Sequence, residues 1–296
     1  MEITPDTLWP KELLYWRRMS SKDISDYVEN TPKKKQLVLI VWGVLEAHGP
    51  YLPVASDSIM SSIAADEVAR RLQKEHGIQP IIFNSWMDVG SRSATWEFPG
   101  SIGFHSDTPV IREMWNQTLA RMTHWGLKKF FVVNGDGGNW MNHWYGLQWD
   151  SDVIRKLVQE EGVTLRGSNW DAEGGSEYLH AGARSHALAK WVAEFAPEAV
   201  RLSALRHGIK VPKDADVKTI ENDQPFLEDI PYRETDWSTY PGQKRLRSVT
   251  KLSYKEYLAA LYNPDGTPRT KGGVADDFNG MTSALLKKVV ELLKAK

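Results

Sequence analysis

Apolar residues in this chain gather in short unbroken runs, and between those runs they recur with helical spacing. Residues 37–42 (Leu-Val-Leu-Ile-Val-Trp) are uninterrupted, the pattern of a strand buried on both faces. Residues 58–74 follow with Ile59, Ile63, Val68 and Leu72 on one side of a helix. A second strand is predicted at 78–83. A helix follows at 109–125, where Pro109 suits the first turn. Strands are predicted at 129–133 and 163–167, and helices at 181–195 and 274–295. This alternation predicts an α/β fold, a layered α/β/α sandwich with a mostly parallel sheet. Residues 210–252 break the rhythm. They are rich in Asp, Glu, Pro, Tyr and Lys and read as a long loop or arm. No Pro/Gly/Ser-rich linker divides the chain, so residues 1–296 are read as a single domain.

Ligands of parallel sheets sit beyond the carboxyl ends of the strands, and polar constellations follow two of the predicted strands. After the first comes Leu45-Glu46-Ala47-His48-Gly49-Pro50-Tyr51-Leu52-Pro53, then Asp57. Residues two apart on an extended chain point the same way, so Glu46 and His48 can aim at one point, with Asp57 near enough in sequence to fold back onto it. Two carboxylates and an imidazole are the mixed donors a divalent metal takes. After the third strand comes Asn134-Gly135-Asp136-Gly137-Gly138-Asn139, whose glycines let the backbone approach a ligand closely. His180-Ala181-Gly182 opens the helix that carries Ser185 and His186, and His180 is a candidate general acid/base. Trp96-Glu97-Phe98-Pro99-Gly100-Ser101 reads as a turn with Glu97 as a reserve ligand or base. Trp140, His143 and His186 are candidates for a pocket wall. His76, His105, His124 and His207 read as structural. Each motif has an ordinary competitor: a solvated loop, a plain turn, a capping or core histidine. Two constellations at one sheet edge favour a site over either alone.

Composition narrows the chemistry. Cysteine is absent, so a metal would have to be held by His, Asp or Glu. The 37 basic and 38 acidic side chains leave a net charge of -1, which offers no general attraction to nucleic acid or to an anionic membrane. The polar N-terminus and the lack of a long apolar run lead us to expect a cytoplasmic protein with no membrane association.

Read in order, these motifs resemble the creatininase (creatinine amidohydrolase) family. Its strand followed by Gly-x-x-Glu-x-His-Gly-x-x-Leu-Pro and then Asp is matched by Gly43, Glu46, His48, Gly49, Leu52, Pro53 and Asp57. Its Phe-Pro-Gly-Thr turn is matched by Phe98-Pro99-Gly100-Ser101. Its Asn-Gly-His-Gly-Gly-Asn and His-Ala-Gly segments are matched at 134–139 and 180–182. The resemblance implies a metal-dependent hydrolase. Water activated by the metal would attack a carbonyl of a small cyclic substrate, usually at a C–N amide bond. It further implies Mn²⁺ or Zn²⁺ as cofactor and a homo-oligomer, often a hexamer. Glu46 and His48 would hold metal, Asp57 would bridge where two ions bind, and His180 would act near the substrate.

Two departures bear on this. The family's metal-binding His in the Gly-rich turn is Asp136 here, and its Glu after His-Ala-Gly is replaced by Ser185 beside His186. With Asp136 as a candidate metal ligand, a carboxylate in place of an imidazole hardens the site toward Mn²⁺ or Mg²⁺ relative to Zn²⁺, against the general affinity order that favours Zn²⁺, and the missing Glu makes one metal the expectation, with a second left open. The thirteen tryptophans suit a sugar-like ring. That keeps alive a branch resembling 3-dehydro-scyllo-inosose hydrolase, which cleaves a C–C bond of an oxidised cyclitol. A metal-dependent isomerase or epimerase and a non-catalytic binding protein are the remaining alternatives.

Overall fold

The computed structural model describes residues 9–46, 48, 51–84, 88, 109–136, 151–170, 182–211, 213–222 and 253–294. Along the chain these form β1 (Leu14–Tyr15), α1 (Ser21–Asn30), β2 (Val38–Trp42), α2 (Ser56–His76) and β3 (Ile81–Phe83). There follow α3 (Pro109–His124), β4 (Lys129–Asn134), α4 (Asp152–Glu160), β5 (Thr164–Asn169) and α5 (Ala183–Lys190), which runs into a π-helical turn, Trp191–Phe195. The remaining helices are α6 (Glu198–Arg206), α7 (Asp214–Asn222), α8 (Tyr254–Leu261) and α9 (Gly273–Lys294). The strands make one sheet in the order β1-β3-β2-β4-β5, and every pairing is parallel. The predicted α/β layering with a parallel sheet is what the chain adopts.

β2 lies in the middle, which is why its sequence is apolar at every position. Alternate side chains enter opposite cores. Leu39 and Val41 pack with Ile59, Ile63 and Val68 of α2 and with residues of α5, α8 and α9. Val38, Ile40 and Trp42 pack with Ile111, Trp115 and Leu119 of α3 and with Ile154 and Leu157 of α4. α2 carries the chain outward from β2 to β3, and α3 carries it back across β2 to β4. Right-handed crossovers require these two helices to lie on opposite faces, as the two cores show. The connections leaving β2 and β4 therefore diverge, and a crevice opens between the carboxyl ends of these neighbouring strands.

Some elements left no clear pattern. β1 is two residues long, too short for alternation to register. The segment expected as a loop from 210 begins as a helix, α7. Among its described side chains Val217 joins the core. Polar ties also hold the helix: Asp214 accepts hydrogen bonds from Lys190 Nζ at 2.9 Å and from the Tyr257 hydroxyl at 2.7 Å. Residues 223–252 lie outside the described residues. Among the described residues no helix is long and apolar enough to cross a membrane.

Candidate metal centre

The crevice between β2 and β4 is where the polar residues meet. Past Trp42 the chain leaves the sheet, and the Glu46 N–H donates to the Val54 carbonyl at 2.9 Å, closing the loop on itself. Leu52 anchors that loop against Ala189 of α5. The chain then enters α2, whose first turn carries Asp57, a position where the helix dipole favours negative charge. Two glycines permit this closeness. A Cβ on Gly43 would overlap Ser58, and one on Gly135 would lie 2.6 Å from the Asp57 carbonyl carbon and 3.1 Å from its Cα. The Gly135 N–H donates to the Trp42 carbonyl at 2.7 Å, pinning the β4 turn to the end of β2.

Glu46, His48 and Asp57 converge. Each offers a ligand atom within 4.8 Å of the others. His48 Nε2 stands 3.0 Å from Asp57 Oδ1 and 3.7 Å from Glu46 Oε1. On the far side of the ring, Nδ1 lies 3.0 Å from the Glu46 carbonyl. A proton on Nδ1 satisfies that carbonyl and leaves Nε2 facing the carboxylates, the arrangement that orients metal-binding histidines. Glu46 and His48 are buried, and the Asp57 side chain is only 13% exposed. Asp57 Oδ2 is buried without a hydrogen-bond partner among the described residues.

The electrostatics fit a cation. Burial pushes the Asp57 carboxyl up, opposed by His48 and reinforced by Glu46, and the net direction is up. Burial alone would lower His48, but Asp57 and Glu46 outweigh it and hold the imidazole well above its ordinary value. Two carboxylates at this depth repel each other and need positive charge between them. Without an ion, protons held on His48 and Asp57 relieve that repulsion; a divalent ion with oxygen and nitrogen preferences would displace those protons and engage the Asp57 oxygen. The donors present fit such an ion.

Asp136 is buried on the opposite wall, where Gly135 presses on the Asp57 peptide. Its carboxylate is not one of the three groups that meet within 4.8 Å. His186 lies buried in α5 with Nδ1 3.1 Å from the Gly182 carbonyl. Glu97, Trp140, His143 and His180 lie outside the described residues. Sequence reasoning passed over Asn169, at the end of β5, whose side chain meets that of Asn134; an amide closing the strand beside the Gly-rich turn was the available signal. It also passed over Asp66, buried in α2 between His207 and Arg206, which no local pattern marks.

The model of the creatininase family, described as creatinine amidohydrolase, matches residues 18–250, and the chain belongs to this family. Among solved structures it resembles a provisionally assigned creatinine amidohydrolase from Bacteroides fragilis NCTC 9343, at 12% identity and a TM-score of 0.56 over 97% of this chain and 99% of that one. It also resembles a creatinine amidohydrolase (creatininase), at 11% identity and a TM-score of 0.55 over 96% and 99%. A creatininase designated Mn matches at 11% identity and a TM-score of 0.55 over 96% and 100%. These likenesses show a shared fold. Among curated proteins the chain has no match.

Proposed function

We propose that this creatininase-family chain is a metal-dependent hydrolase that opens a small, polar, cyclic substrate at a C–N amide bond. Glu46, His48 and Asp57 would hold one divalent cation, Mn²⁺ or Zn²⁺. The observation that carries this reading is the buried convergence of two carboxylates and an imidazole around Asp57 Oδ2, which has no hydrogen-bond partner among the described residues. Related folds known in a Mn form and a Zn–Zn form support the choice of ion. A divalent cation bound there supplies Lewis acidity, which polarises a carbonyl and lowers the pKa of water.

The protein's own groups do the rest. The Glu46 carbonyl holds the His48 ring so that Nε2 stays toward the carboxylates. Burial and the neighbouring Glu46 raise the Asp57 carboxyl while no ion is bound, so binding of a cation there would release its proton and leave Asp57 as a carboxylate ligand. Glu46 and His48 are buried, and removal from bulk water strengthens each electrostatic contact they make. His180 and Glu97 are the groups we assign to proton delivery at the leaving nitrogen; that assignment rests on their motifs. Asp136, buried directly after the glycine that rests on the Asp57 peptide, is assigned to the wall of the ion's surroundings.

The test has two arms. Elemental analysis of the purified protein is expected to find one Mn²⁺ or Zn²⁺ per chain. A panel of creatinine, other small cyclic amides and an oxidised cyclitol is expected to show ring opening of an amide, lost on chelation and restored by Mn²⁺. Asp57→Ala is expected to lose metal and activity together. Full metal content in that variant, or turnover that survives chelation, overturns the reading. Turnover of the cyclitol alone moves the assignment to C–C cleavage.

A further inference from the structure

Asn134 ends β4 and is fully buried. It sits in register between Trp42 of β2 and Asn169 of β5. Its side-chain amide makes two donations, one to the Asp136 carbonyl at 2.6 Å and one to Asn169 Oδ1 at 2.5 Å. The Asn134 carbonyl accepts from the Trp170 N–H at 2.9 Å. These bonds answer a local problem. Directly after β4 the chain turns out of the sheet, so the Asp136 carbonyl has left the ladder while its residue remains buried. A buried carbonyl needs a donor, and the Asn134 amide is that donor. Asn169, one strand over, takes the amide's other hydrogen and so fixes its orientation.

The consequence reaches the metal centre through Gly135. That residue lies between the two ends of the Asn134–Asp136 bond, and it rests on the Asp57 peptide closely enough that a methyl group would not fit. The position of the β4 turn therefore sets one wall against the first turn of α2, where Asp57 is presented. We propose that Asn134 and Asn169 form a side-chain clamp that positions Asp57 for cation binding and Asp136 in the wall beside it. This rests on the metal-centre reading above, and it assigns to both asparagines a positioning role.

The chemistry of the pair specifies the test. Asn134→Asp keeps the shape but has no amide hydrogens, and it sets a carboxylate against two acceptor oxygens. Asn169→Ala removes the acceptor, whereas Asn169→Asp keeps an acceptor oxygen at the same place. Mn²⁺ affinity of the metal-free full-length protein would be read by competition with a fluorescent chelator, alongside the melting temperature of each metal-free form. Loss of outer supports of a metal site costs roughly 10–100-fold in affinity. Asn134→Asp and Asn169→Ala are each expected to lose about 10-fold or more, and Asn169→Asp to stay within about 3-fold of the parent. Should Asn134→Asp fail to fold, the two Asn169 variants carry the test, since they leave the Asp136 carbonyl its donor. Folded variants that lower the melting temperature but bind Mn²⁺ as the parent does would show a merely structural role and overturn the clamp. Equal losses in Asn169→Ala and Asn169→Asp would overturn it as well. A parent protein that takes up no Mn²⁺ refutes the metal-centre reading itself, a result distinct from either of these.

Discussion

Gly135→Ala is the most discriminating single substitution this architecture offers. The added Cβ would lie 2.6 Å from the Asp57 carbonyl carbon and 3.1 Å from Asp57 Cα, where ordinary contacts between such atoms begin near ~3.5 Å. Both parties are backbone. One is the end of a strand hydrogen-bonded to β2, the other the first turn of a 21-residue helix, so neither can swing aside as a side chain would. Relief requires the β4 turn and α2 to separate by roughly 1 Å, and overpacking of this kind costs about 1–3 kcal/mol. For a chain of this length that is a fall of roughly 2–10 °C in melting temperature. The same shift would stretch the 3.0 Å contact between His48 Nε2 and Asp57 Oδ1, so metal affinity is expected to fall together with stability. Gly280→Ala is the internal control. Gly280 lies inside α9 with nothing within 4 Å of its added Cβ, and Ala there should stabilise by roughly 0.5–1 kcal/mol. Scanning calorimetry and Mn²⁺ titration of both variants provide the assay. Parent-like melting and Mn²⁺ binding in Gly135→Ala would refute the close approach on which the site's geometry depends.

Three further outcomes follow. Mn²⁺ should raise the melting temperature in proportion to the logarithm of its concentration, gaining roughly 2.7 kcal/mol at a hundred times its dissociation constant; a flat response would mean no ion binds the native state. Asp66→Asn should destabilise by about 3–5 kcal/mol in urea unfolding at neutral pH, because it leaves Arg206, whose side chain is 1% exposed, beside a neutral partner. Burial pushes the Asp66 carboxyl up, but His207, Arg206 and Arg70 outweigh it and hold it below its ordinary value. Its contribution is therefore complete above the unfolded-state value near ~3.9 and is lost as pH falls through the lower native value, so Asp66→Asn should show a shallower acid loss than the parent; parallel acid profiles would contradict this. Asp136→His should raise the ratio of bound Zn²⁺ to Mn²⁺ in a mixed-metal competition, and an unchanged ratio would show that Asp136 does not act on the ion.

Much of this protein is legible in its sequence because the relevant physics is local or periodic. An apolar run at every position of 37–42, short and rich in β-branched residues, is the pattern of a strand covered on both faces, and β2 is that strand. The helical spacing of Ile59, Ile63, Val68 and Leu72 locates α2, and the observed helix extends it by two residues at each end. Glu46, His48 and Asp57 were readable as a group because one short loop carries all three, so their convergence needs no distant part of the chain. The resemblance to the creatininase family rested on this stretch read in order with the motifs at 98–101, 134–139 and 180–182.

What the sequence could not supply is whatever depends on two segments meeting. The strand order, which places β4 beside β2 and opens the crevice between them, is a property of the assembled sheet; given that order, the handedness of the crossovers puts α2 and α3 on opposite faces. Asn169 joins Asn134 only because their strands pair in register across 35 positions of chain. Asp66 and His207 meet across 141 positions, and each alone looks like an ordinary surface residue. Gly135 gives no hint in the chain that its missing side chain leaves room for the Asp57 peptide. Local pattern records which face of an element is apolar; packing alone decides which neighbour covers it, and hence which polar groups are left facing one another.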